Sequence, residues 1–191
     1  MQAQTLVNQL WKERTGHPTK AFDFMSATRT HSVTGSKGSA DNVYVVGNTY
    51  HIGEEENAVV YKYTPTGSLV WTYEYNSVSD YRDFGIDIYC KNGLVYVTGV
   101  SWDSINNYSE IVVLALDETD GTEIWRSIYQ PSYGGYAVPA GIQVDGNEFI
   151  YIAGTEQTDS AEFGLLTYAM KSDGTITWTT LYDSTSIYDG R

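Results

Sequence analysis

Apolar residues in this chain fall into short runs of five to ten, broken by Gly, Asp, Asn and Pro. Some runs alternate, as in Leu69-Val70-Trp71-Thr72-Tyr73-Glu74-Tyr75. Others are apolar throughout, as in Ile111-Val112-Val113-Leu114-Ala115-Leu116. β-Branched and aromatic residues dominate both kinds, which suits strands buried on one face or on two. No apolar stripe with helical period is long enough to predict a helix. Asp120-Gly121, Asp173-Gly174 and Pro65-Thr66-Gly67 punctuate the runs as turns. The pattern predicts an all-β chain.

The runs repeat. Trp71, Trp125 and Trp178 recur at intervals of 54 and 53 residues. Four residues before each stands a glycine (Gly67, Gly121, Gly174), and four after each a tyrosine (Tyr75, Tyr129, Tyr182). A second frame lies upstream: Val43-Tyr44-Val45-Val46-Gly47, Val95-Tyr96-Val97-Thr98-Gly99 and Ile150-Tyr151-Ile152-Ala153-Gly154. Each unit reads as four strands. A short apolar run (Gly85 to Tyr89, or Gly141 to Val144) is followed by the Tyr run ending in Gly, a third apolar run, a Gly turn and the Trp/Tyr strand.

Four antiparallel strands per unit of this length predict β-propeller blades. On this reading residues 21–76, 77–130 and 131–183 are three complete blades. Residues 1–20 hold the last strand of a preceding or closing blade plus a linker, because Leu10-Trp11 resembles Val70-Trp71. Residues 184–191 open a further blade. Residues 33–41, rich in Ser, Gly and Lys, are expected to form a flexible loop in the first blade. The repeated glycine provides a positive φ for turning, and the repeated Trp and Tyr, on one face of the last strand, fill the wedge between blades. Three blades do not close a ring, so the remaining blades or a second chain are expected to complete it.

The frame running from Asp41-Asn42-Val43-Tyr44 through Val70-Trp71-Thr72-Tyr73, and again from Gly93-Leu94-Val95-Tyr96 through Ile124-Trp125-Arg126, is similar to the SBBP-type β-propeller repeat. The resemblance covers about residues 5–191. It implies a secreted or cell-surface bacterial protein of the kind found in Bacteroidetes and exported by type IX secretion, and it implies no catalytic residues. A weaker resemblance links Ala115 to Trp125 with the tryptophan-docking segment of PQQ-type repeats. Only the second unit shows it, since the first and third have one residue fewer before the glycine. Quinoprotein enzymes commonly use a vicinal cysteine pair, whereas this chain has only Cys90.

Composition narrows the partners. With 11 basic and 24 acidic residues the net charge is −13, so there is no basic stripe for nucleic acid or an anionic membrane. No apolar stretch is long enough to insert into a bilayer. The lone Cys90 makes no internal disulfide and reads as a small core residue. His17, His31 and His51 have no metal-ligand spacing; His51 with Glu54, Glu55 and Glu56 reads as a solvated acidic loop tip. Asp117 and Asp120 before Gly121 read as turn residues rather than calcium ligands. No cofactor, metal or catalytic set is expected.

The unusual feature is aromatic content, with 17 Tyr and 5 Trp. Loops after the second and fourth strands share one face of a blade, and they are expected to carry Tyr50, Trp102 and Tyr108, then Tyr81, Tyr133 and Tyr136. Tyr188, Asp80 and Asp103 belong to the same expected face. Exposed Tyr and Trp suit protein contacts or the apolar faces of sugars. The competing reading is that these tyrosines plug seams between blades, with Trp102 the best exception. The expected function is a non-catalytic scaffold binding protein or carbohydrate, with a catalytic propeller (carbohydrate-active or quinoprotein) as the alternative.

Overall fold

The computed structural model describes residues 20–31, 42–51, 55–77, 82–103, 105–159 and 162–183, without the side chains of 20–31, 50 and 51. The expected end strands at 1–19 and 184–191, the loop at 33–41 and Tyr81 lie outside the described residues.

Twelve strands form three four-stranded sheets among the described residues, each antiparallel and in chain order. The first sheet contains β1 (Lys20–His31), β2 (Asn42–His51), β3 (Glu56–Tyr63) and β4 (Leu69–Tyr75). The second contains β5 (Arg82–Lys91), β6 (Leu94–Asp103), β7 (Tyr108–Asp117) and β8 (Glu123–Tyr129). The third contains β9 (Ala137–Val144), β10 (Ile150–Gln157), β11 (Phe163–Met170) and β12 (Ile176–Tyr182). The chain is therefore all-β, and its sheets do not close on one another within the described residues.

The sheets stack face to face. β5 packs across β1, β2 and β3, and β9 packs across β5, β6 and β7. The first seam buries Tyr44, Val46 and Val60 against Ile88, Val97 and Leu114. The second buries Tyr96, Ile111 and Val113 against Ile142, Ile152 and Tyr168. The central strands of the second sheet are buried on both faces because that sheet has a neighbour on each side. The last strand of each sheet has only partial cover, which explains its alternating sequence.

The repeated glycines do two different jobs. Gly67, Gly121 and Gly174 sit in the third-to-fourth-strand turns with φ of 86°, 78° and 85°, as expected. Gly47, Gly99 and Gly154 do not end their strands, contrary to the sequence reading. They lie inside β2, β6 and β10, where the first strand shifts register opposite them. There the first strand's backbone comes too close for a side chain: a Cβ on Gly99 would strike the Phe84 carbonyl, and one on Gly154 the Val138 carbonyl.

The tryptophans join one sheet to the next. Trp71 donates its indole N–H to the Glu118 carbonyl (3.1 Å), and its ring covers Gly121, where an added Cβ would lie 2.8 Å away. Trp125 repeats this on the third sheet, donating to the Ser172 carbonyl (2.8 Å) and covering Gly174. Within each sheet the Tyr of the second strand tilts against the Trp of the fourth. The pairs Tyr44–Trp71, Tyr96–Trp125 and Tyr151–Trp178 have centroid separations of 6.1, 6.2 and 6.4 Å. Trp71 and Trp125 thus fill wedges. Trp178 does not: it is 45% exposed, because no described sheet follows it.

Candidate functional site

At one end of the second and third sheets the strands bring a group of apolar side chains together. Val100 and Trp102 are alternate residues of β6 and so project from one face. Ser109, opposite Trp102 in β7, holds the entry to β9. Its N–H donates to the Gly135 carbonyl (3.1 Å), and its hydroxyl bonds the Ala137 carbonyl (2.9 Å) while lying 3.1 Å from the Ala137 N–H.

Those bonds fix Tyr136. Its N–H donates to Gln157 Oε1 (3.2 Å), its carbonyl accepts from the Gln157 N–H (2.7 Å), and its hydroxyl donates to Asn107 Oδ1. Tyr136 is thereby tied to both sheets. The resulting cleft, about 310 Å³, is lined by Val100, Trp102, Ser109, Tyr136, Val138 and Phe163. Trp102 is 37% and Phe163 53% exposed, so both rings remain available to solvent.

Of the expected aromatics, the structure brings Trp102 and Tyr136 together. Tyr133 is exposed on the adjoining turn but does not line the cleft, and neither does Tyr108. The side chain of Tyr50, and all of Tyr81, Tyr188 and Asp80, lie outside the described residues. One feature of the sequence reading is corrected: Tyr50, Trp102 and Tyr108 belong to strands β2, β6 and β7, not to loops. The hairpins extend further than the repeat glycines suggest, because those glycines are internal.

Phe163 and Val138 were not singled out from the sequence. The register supplies the missing signal. The third unit has Gln157 at the position of Trp102, but Gln157 pairs with Phe163 across the β10–β11 hairpin. The aromatic ring has moved to the facing strand.

Buried carboxylates hold the connections between the sheets. Asp83 Oδ2 accepts the Ser77 N–H (2.7 Å), tying down the connection from β4 to β5. Glu156 Oε1 accepts the Ser132 N–H (2.6 Å) and its Oε2 accepts the Tyr129 hydroxyl, tying down the connection from β8 to β9. Both acids are about 1% exposed. Asp83 pairs with Ser101, whereas Ala137 pairs with Glu156, so the acid lies on the first strand in one unit and on the second strand in the next. The same task is kept while the residue that performs it moves.

Asp103 was expected on an open acidic face. It is instead fully buried, its Oδ1 accepting the N–H groups of Ile105 (2.8 Å) and Asn106 (2.9 Å). An ionised carboxylate at that depth is stable only when bonded in this way. Glu110, also buried, accepts from Gln130 Nε2 (2.7 Å). The nearby tyrosines feel this environment. Burial, then the Glu156 bond, raises the Tyr129 hydroxyl well above its ordinary range. Tyr75 is pushed up to about 12 by burial and the charge of Asp83, although Arg126 over its ring opposes the shift.

The remaining candidates take ordinary roles. Glu55 and Glu56 pair with Arg82 at 2.7 and 3.2 Å. Asp117 and Asp120 accept the turn amides of Thr119 (2.6 Å) and Thr122 (2.9 Å). Cys90 is half-buried against the first core. Among the described residues no three His, Cys, Asp or Glu side chains come together as a metal site, and no helix is long and apolar enough to cross a membrane. Compared with known proteins, the chain matches no family model and no curated protein.

Proposed function

We propose that this chain is a non-catalytic interaction scaffold whose three sheets are consecutive blades of a β-propeller, and that its cleft takes a large apolar side chain from a protein partner. The blade reading is supported by the common strand order, the stacked sheets and the repeated Trp-on-Gly contact between them. The remaining ring would come from further blades or a second chain. Export to a bacterial cell surface rests on the resemblance to SBBP-type repeats alone.

The observation that carries the binding proposal is the convergence of Trp102, Tyr136 and Phe163 around one apolar cleft. A ring or branched side chain entering it would exchange water for apolar contact without orphaning a polar group. A sugar would leave hydroxyls facing those walls, which favours a protein ligand over a glycan. The net charge of −13 selects against acidic partners and favours a segment with Lys or Arg beside the anchoring residue. The alternative, a catalytic propeller, needs two carboxylates facing a substrate. The buried acids described here are engaged with loop amides and side chains instead.

The test is selection of a displayed random peptide library on the immobilised chain, in parallel with a glycan array. Peptides with an aromatic or long aliphatic residue flanked by basic residues should be enriched. Trp102→Ala should weaken their binding at least 10-fold while moving unfolding by less than about 1 kcal/mol, as for a surface substitution. Enrichment of glycans only would replace the protein ligand by a sugar. Peptide binding indifferent to Trp102→Ala would refute the cleft.

A further inference from the structure

Three aromatic rings, those of Trp102, Tyr136 and Phe163, line the cleft together with Val100 and Val138. The two hydroxyls at its wall are already engaged. Ser109 donates to the Ala137 carbonyl (2.9 Å) and accepts the Ala137 N–H (3.1 Å), and Tyr136 donates to Asn107 Oδ1.

The fixed charge around the cleft is net negative. The β10–β11 hairpin that carries Phe163 also exposes Asp159 and Glu162. Arg82, which pairs with Trp102 across β5 and β6, is bonded to both Glu55 and Glu56, at 2.7 and 3.2 Å. Lys62, Lys91 and Lys171 stand at the far ends of β3, β5 and β11, away from the cleft.

This combination selects among apolar occupants. The faces of aromatic rings are negative, and a phenol that donates its proton in a hydrogen bond has a more electron-rich ring. An uncharged side chain would use the apolar walls but not that potential. A primary ammonium would be attracted by it, yet on entry its three N–H donors would exchange water for ring faces and engaged hydroxyls. A trimethylammonium group carries the same charge with no donor to orphan, and its methyl groups pack on rings as an apolar group does. The cleft volume of about 310 Å³ leaves room for such a head and its alkyl stem.

We propose that the cleft is an aromatic cage for a quaternary ammonium group, supplied as the trimethylated side-chain nitrogen of a lysine in a protein partner. Choline phosphates carry the same head, but they hold a phosphate a few bonds from it. A chain of net charge −13, with Asp159 and Glu162 beside the cleft, opposes that anion, whereas a lysine stem brings none. The inference rests on reading the cleft as a protein-binding site, and it names the group that the partner inserts.

The experiment titrates the 191-residue chain with one short peptide of Gly, Ser and Arg in three versions. Its central residue is lysine, Nε-trimethyl-lysine or the uncharged tert-butyl isostere of trimethyl-lysine. Affinity is read from the fluorescence anisotropy of a dye on the peptide, and the site from the NMR shift of the Trp102 indole N–H. Trimethyl-lysine should bind about 10-fold or more tighter than either of the other two, as cation–π attraction from several rings requires. Trp102→Phe keeps an apolar ring with a weaker face. It should lower that preference about 3-fold and leave affinity for the isostere nearly unchanged.

Equal binding of trimethyl-lysine and its isostere to the unmodified chain would overturn the cage and leave an apolar cleft for an uncharged side chain. No shift at Trp102 with any of the three peptides would also overturn it. Phosphocholine that binds more tightly than the trimethyl-lysine peptide would assign the cleft to a choline headgroup instead. Whether the cleft binds protein at all is decided separately by peptide selection and Trp102→Ala, so the two readings fail on different results.

Discussion

Trp125→Ala removes a contact that joins the second sheet to the third. The indole packs on Gly174, donates to the Ser172 carbonyl at 2.8 Å and lies 6.2 Å from the Tyr96 ring. Replacing a packed aromatic by Ala costs about 3–5 kcal/mol, and the incomplete burial of Trp125 places it near 3. Within that total, the indole hydrogen bond is worth about 1 kcal/mol and the ring pair about 0.5–1.5. Trp125→Phe, which keeps most of the ring but loses the donor, should cost about 1–1.5 kcal/mol. Trp178→Ala provides the control: it removes the same residue type and the same tyrosine partner, but no docked turn. It should cost about 1 kcal/mol or less.

Urea unfolding followed by circular dichroism gives all three values from the midpoints, provided the slopes agree with wild type. In thermal unfolding the Trp125→Ala loss corresponds to a fall of about 6–12 °C for a chain of this size. Equal losses for Trp125→Ala and Trp178→Ala would refute the reasoning. They would mean that each Trp contributes through the tyrosine of its own sheet and not across the seam.

Three further outcomes follow from the same structure. Gly174→Ala should cost at least 1 kcal/mol more than Gly93→Ala (about 1 kcal/mol itself), because the two share a positive φ but only Gly174 has a ring 2.9 Å from the added Cβ; equal costs by urea unfolding would contradict the lock. Glu156→Ala should lose about 1.5–3 kcal/mol and speed amide exchange at Ser132, since it leaves neither that N–H nor the Tyr129 hydroxyl its carboxylate acceptor; unchanged exchange would show that Glu156 does not hold the loop. Alkali should unfold the protein. The Tyr75 hydroxyl is raised to about 12 by burial and Asp83, and Tyr44, Tyr73, Tyr129 and Tyr168 are raised further, first of all by burial. Because the folded state holds these protons more tightly, their stability contribution is complete below pH about 10 and is lost as pH rises through the folded values. Stability that stays flat from pH 9 to 12 would contradict this.

Much of the fold was legible in the sequence because its repeat has a mechanical cause. Each turn needs a glycine, both for its positive φ and, at Gly121 and Gly174, to seat the Trp of the preceding sheet, and a fixed number of residues joins that turn to the Trp of its own fourth strand, so Gly and Trp recur together in every unit even where the turn length changes. The roles of Gly47, Gly99 and Gly154 were not legible. A glycine that ends a strand and one that accommodates a neighbouring bulge look alike until the register is known. The cleft was half legible. Trp102 stood out by breaking the repeat, whereas Phe163 entered through cross-strand pairing with Gln157. The loop-holding acids were hidden for a related reason: among 24 carboxylates, Asp83 and Glu156 differ only in depth, and their common task sits on different strands. Asp103 likewise read as surface charge until its loop closed over it.

The most direct measurement is hydrogen exchange at the indole N–H groups of the unmodified chain, followed by NMR. If the sheets are joined in series by Trp docking on the following turn, the Trp71 and Trp125 indoles will be strongly protected and the Trp178 indole will exchange rapidly. Protection of Trp178 as strong as that of Trp125, or rapid exchange at all three, would contradict that arrangement.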